Sequence, residues 1–90
     1  MITGRQVRAA RALLGWKQET LADNAQVALT ALKRFESERA LGTHESTNDK
    51  IRRALEAAGV VFMESEQGIG ILLLDHWSST EGKTVMRRGR

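Results

Sequence analysis

Apolar residues recur at helical spacing along most of this chain. Val7, Ala10, Leu13 and Leu14 form one such stripe. Leu21, Ala22 and Ala25 form a second, which predicts a short helix from Gln18 to Asn24. Val27 follows a tight turn, and Leu32 and Phe35 share one face of a third helix, roughly Ala28 to Glu36. Ile51, Ala54, Leu55 and Ala58 fall at i, i+3, i+4 and i+7, the stripe of a fourth helix running to about Ala58. The pattern then changes. Val60 to Met63 and Ile69 to Leu74 read as two short strands, with Glu64 to Gly68 as the turn of a hairpin. Residues 37–46 read as a loop turned at Gly42-Thr43, and residues 75–90 carry no periodicity.

The punctuation agrees with this layout. Thr3-Gly4-Arg5-Gln6 fits a capping box, with Thr3 as N-cap and Gln6 reaching back. Gly15 supplies a left-handed residue to stop the first helix. Ser46 or Thr47 is the expected cap of the fourth, and Gly59 its end. The expected fold is therefore mainly α. It has four helices and a short β-hairpin in one domain over 1–74, and a flexible basic tail over 75–90.

Composition changes the picture in a few places. The chain has no Cys, so neither a disulfide framework nor a thiolate metal site is expected. His44 and His76 are not at ligand spacing. No apolar run approaches the ~20 residues of a membrane span, and no apolar segment follows MITGRQVR as in a signal peptide, so a cytoplasmic protein is expected. The formal net charge is +3, but residues 82–90 hold Lys83, Arg87, Arg88 and Arg90 with no acid. Without those four, ten positive side chains face eleven negative ones. The sequence pI of about 10.0 thus belongs to the tail. Within the domain, Lys17, Lys33, Arg34 and Arg39 cluster in or beside the second and third helices. No nucleophile stands with a base at recognisable spacing, and His76 with Ser78-Ser79-Thr80 lies in the expected tail. An enzyme, a cofactor and a small-molecule ligand are therefore not expected.

Two short helices joined by a tight turn form the unit that places one helix in the DNA major groove. Here the unit comprises Trp16-Lys17-Gln18, Leu21-Ala22, Ala25-Gln26-Val27-Ala28, Ala31-Leu32 and Glu36. Together with Ile51-Arg52-Arg53-Ala54-Leu55-Glu56-Ala57-Ala58-Gly59-Val60, it resembles the Xre family of helix-turn-helix regulators, which includes the phage repressors and Cro. The resemblance covers about residues 3 to 63. It implies a four-helix Xre/Cro-type domain and a structural ion pair between Arg11 and Glu36. It also implies that Gln18 and the start of its helix meet a DNA phosphate, and that exposed residues of the third helix touch base edges. Four positions differ from the family pattern: Gln26, Ala28, Ala31, which replaces Thr, and Glu38, which stands where a Gly often ends the third helix. Gln26 replaces the turn Gly, so a residue with a Cβ must be left-handed. Ala28 replaces a Ser or Thr cap, which weakens the third helix by about 1 kcal/mol.

Two functional classes follow. In the first, the chain is a DNA-binding regulator, a repressor acting through helix 28–36 as a homodimer on a two-fold operator. Lys17, Gln18 and Lys33 then hold phosphates, and Ala28, Leu29, Thr30 and Arg34 meet bases. Leu29 is placed on the surface, where it meets a thymine methyl or a protein. In the second, a degenerate helix-turn-helix occupies a partner transcription factor as an anti-activator, or acts as an antitoxin-like regulator, without specific DNA binding. Its contact residues are Leu29, Lys33, Ile71, Leu72 and Leu74. The Ile69 to Leu74 strand either packs on the helices or forms a dimer edge.

Overall fold

The computed structural model describes residues 2–37 and 45–75. The elements, in chain order, are α1 (Gly4–Leu14), α2 (Gln18–Ala25), α3 (Leu29–Glu36), α4 (Glu45–Ala57), β1 (Val60–Ser65) and β2 (Gly68–Leu73). The chain is thus mainly α, with a two-stranded antiparallel hairpin. The expected Gly42-Thr43 turn and the tail from His76 onward lie outside the described residues.

Local chemistry explains the helix ends. Thr3 and Gln6 form the capping box: the Gln6 backbone N–H donates to Thr3 Oγ1 at 3.2 Å, and the Thr3 N–H donates to Gln6 Oε1 at 3.0 Å. α1 stops at Gly15, which is left-handed at φ 73°. There the Trp16 N–H donates to the Arg11 carbonyl and the Gly15 N–H to that of Ala12. α2 ends in the same way without a glycine. Gln26 sits at φ 59°, with the Val27 N–H bonded to the Ala22 carbonyl and the Gln26 N–H to that of Asp23. A Cβ in this region costs about 1 kcal/mol, and two bonded carbonyls plus a packed Val27 hold it there.

The helices enclose one core. Val7 and Ala10 of α1, Leu21, Ala22 and Ala25 of α2, Leu32 and Phe35 of α3, Ile51 and Leu55 of α4, and Val60 of β1 are all buried. Each large aliphatic side chain so buried contributes about 1.5 to 3 kcal/mol of hydrophobic stabilisation. α2 packs on α3 and α4, α1 on α3 and β2, and α4 on β1.

Two expectations are corrected. α4 begins at Glu45, so Ser46 and Thr47 lie inside its first turn rather than capping it. The hairpin turn is the two residues Glu66-Gln67, not the five from Glu64 to Gly68, because Ser65 pairs with Gly68 and Glu64 with Ile69. Glu64 and Ser65 are exposed. The backbone ladder runs on past the part of the hairpin that covers the core, and an apolar pattern does not register that extension.

The hairpin has two unlike faces. Val60, Phe62, Ile71 and Leu73 lie on the core side. Val61, Met63 and Leu72 alternate with them on the outer side, where each is exposed, as is Leu74 beyond β2. Gln6 fastens the hairpin to α1. Its side chain is buried, and Nε2 donates to the carbonyls of Met63 at 3.2 Å and Gly70 at 3.0 Å.

Candidate nucleic-acid interface

α2 and α3 are joined by the three residues Gln26, Val27 and Ala28. Ala22 is buried beneath the joint, and Leu21 and Leu32 are fully buried between the helices and the core. α3 turns Leu32, Phe35 and Glu36 inward and leaves Thr30, Lys33 and Arg34 exposed. Its N-cap is Ala28, exposed and without a side-chain bond. The helix therefore begins one residue later than its apolar pattern suggested. At the other end the Ser37 hydroxyl donates to the Arg34 carbonyl at 2.8 Å.

Glu36 fixes this pair to α1. Its side chain is only 3% exposed. Arg11 donates to it in a fork, Nε to Oε2 at 2.7 Å and Nη2 to Oε1 at 2.8 Å. Gln18 Nε2 donates to the same Oε1 at 3.0 Å. Arg11 Nη1 also donates to the Trp16 carbonyl at 3.2 Å, and Arg8 Nη1 to the Glu36 carbonyl. The start of α2, the end of α3 and the middle of α1 thus share one buried carboxylate. The chain passes close at this point. A Cβ on Gly4 would lie 2.6 Å from the Phe35 carbonyl oxygen. Neither the Gly4 contact nor the role of Gln6 in the hairpin leaves a local signal in the sequence, because each partner lies far along the chain.

Three expected site residues, Leu29, Gln18 and Ile71, stand differently from their sequence reading. Leu29 is half-buried and packs against the core, because 29, 32 and 36 share one stripe of α3. This corrects its placement on the surface. Gln18 is half-buried, and its amide is directed at Glu36. Lys17, Thr30, Lys33 and Arg34 are exposed, and among the described residues Lys17, Lys33 and Arg34 form no ion pair. Ile71 is half-buried on the inner face of the hairpin, whereas Leu72 and Leu74 are exposed on the outer one. The exposed Lys33 and the half-buried Leu29 therefore lie on α3, and the exposed Leu72 and Leu74 on the hairpin.

The outer surface of α3 carries two cations and no described acid, while Glu19 and Asp23 are exposed on α2. The charge of Glu36 is spent internally on Arg11. Among the described residues, no group of His, Asp and Glu is arranged to hold a metal ion, and no helix is long and apolar enough to cross a membrane.

Comparison with known protein families and with characterised proteins finds no match to the chain. What this face can do follows from its own geometry.

Proposed function

We propose that the chain is a transcriptional regulator of the Xre helix-turn-helix type, a repressor that binds duplex DNA by laying α3 in the major groove. One observation carries this reading. α3 is held in the domain by its buried Leu32 and Phe35 and, at its C-terminal end, by the bonds of Glu36, and it still leaves Thr30, Lys33 and Arg34 exposed on one face. A rigid helix with cations and hydrogen-bond donors on its outer face suits a groove that displays base edges between phosphates. Lys17 and Lys33 are the phosphate-holding side chains, and Arg34 and Thr30 face bases. Gln18 serves the Glu36 carboxylate first, so its part in phosphate binding is to orient the N-terminus of α2. A domain this small reads few base pairs, so a homodimer on a two-fold operator is the working form.

A second reading is favoured by the hairpin. Val61, Met63 and Leu72 together with Leu74 make an exposed apolar surface, as a protein-binding anti-activator or antitoxin-like regulator would present to a partner.

Selection from a pool of random duplexes at about physiological salt separates the two. The full chain is run beside a full-length variant with Lys83, Arg87, Arg88 and Arg90 all changed to Gln. An enriched two-fold motif common to both supports DNA reading through the domain. Enrichment lost in the variant, or none at all, overturns it in favour of the protein-binding reading. With a motif in hand, Lys17→Ala should weaken binding across all sequences and lower the salt slope by about 1.

A further inference from the structure

The part of α3 that enters the groove first has an unusual chemistry for a base reader. Recognition helices contact bases mainly with their N-terminal residues. The strongest readers there are Arg, Asn and Gln, whose paired donors and acceptors match a purine edge. The first turn of α3 has none of these. It presents the Ala28 methyl, the Thr30 side chain and the outer part of Leu29, with Ala28 and Thr30 exposed. Among the described residues the Thr30 hydroxyl has no hydrogen-bond partner. The major-groove base feature that the methyl groups of this turn favour is the 5-methyl group of thymine.

Resting on the DNA-binding reading above, we infer that this tip selects thymines by their methyl groups. Ala28 and the Thr30 γ-methyl are the specificity-determining contacts, with the exposed edge of Leu29 beside them. The forked donor comes one turn later, at Arg34. Thr30 and Arg34 are four residues apart, about 6 Å along the helix and on the same face. Arg34 is exposed and forms no ion pair among the described residues, so its fork is available to a guanine O6 and N7. Neither Glu19 nor Asp23 on α2 lies in the stripe of α3 that makes these contacts.

The test uses the duplex enriched by the full chain and a copy in which deoxyuridine replaces thymidine, which removes only the methyl. Burying a methyl contributes enough for about a fourfold change in affinity, so losing two should weaken binding about fifteenfold. Two variants delete the protein side without disturbing the fold. Thr30→Ser keeps the hydroxyl and drops the methyl. Ala28→Gly is well tolerated at an N-cap. Each should bind the thymidine duplex about fourfold more weakly, and each should discriminate less between the two duplexes. Equal binding of both duplexes by the full chain would overturn the thymine inference and leave DNA binding standing. So would discrimination that survives both variants. Failure to enrich any duplex would overturn the inference together with the reading beneath it.

Discussion

Arg11→Ala is the sharpest perturbation of this fold. In the native chain the Glu36 carboxylate is 3% exposed and takes two charge-assisted bonds from Arg11, at 2.7 and 2.8 Å. The substitution leaves it with the Gln18 amide alone among these side chains. Stripping one partner from a fully buried pair costs about 3 to 5 kcal/mol, largely because the remaining charge is uncompensated. Arg11 is 19% exposed, so water reaches this site and the lower end applies, about 3 kcal/mol. Domains of this length are stable by about 4 to 13 kcal/mol, so the loss is a large share of the total. Urea unfolding of the full chain followed by far-UV circular dichroism measures it, and the melting temperature should fall by about 12 to 24 °C. The double variant Arg11→Met, Glu36→Leu removes both charges and restores apolar packing. It should lose far less than the two single substitutions combined, giving a coupling of about 2 kcal/mol or more. A single-variant loss under about 1 kcal/mol, or additive losses in the double variant, would refute the idea that this carboxylate holds α1 and the helix pair together.

Other substitutions test neighbouring parts of the argument about packing. Gly4→Ala should lower stability by about 1 to 2 kcal/mol, because the new methyl meets fixed backbone and this overpacking outweighs the helix propensity it adds. An unchanged or higher melting temperature would show that α1 and α3 can part there. Gln26→Gly and Ala28→Ser should each raise stability by up to about 1 kcal/mol, the first by relieving the left-handed Cβ and the second by supplying the cap. A lower melting temperature in either contradicts the turn geometry. Leu29→Arg should cost about 1 to 2 kcal/mol, since the half-buried side chain leaves the core. A urea midpoint equal to that of the parent would put Leu29 in solvent.

The helices were legible because their signals are local. Thr3 and Gln6, Gly15, the stripe of Leu21, Ala22 and Ala25, and that of Ile51, Ala54 and Leu55 each act within a turn or two of chain. The errors fall where the deciding partner is distant or is backbone. The hairpin turn is shorter than its polar residues implied because β1 and β2 go on pairing through Glu64 and Ser65. The start of α4 shows no apolar signal, since its first four residues are Glu45, Ser46, Thr47 and Asn48. A base-reading role places Leu29 outward, whereas the 29, 32, 36 stripe turns part of it inward. At the candidate site, residue types were readable and their commitments were not. The resemblance points Gln18 at a DNA phosphate, whereas in the fold its amide donates to Glu36.

Gln6 joins two events that would otherwise be independent. Its carbonyl holds the first turn of α1, and its amide holds strands 57 and 64 residues further on. Peeling the hairpin away would remove both acceptors of that amide, and a Gln6 side chain that swung free would take with it the acceptor of the Thr3 N–H. The first turn of α1 and the hairpin should therefore open as one cooperative unit, with their slowest amide protons exchanging at a shared rate. Gln6→Leu, which is close in size, should split that rate in two, with the hairpin opening first.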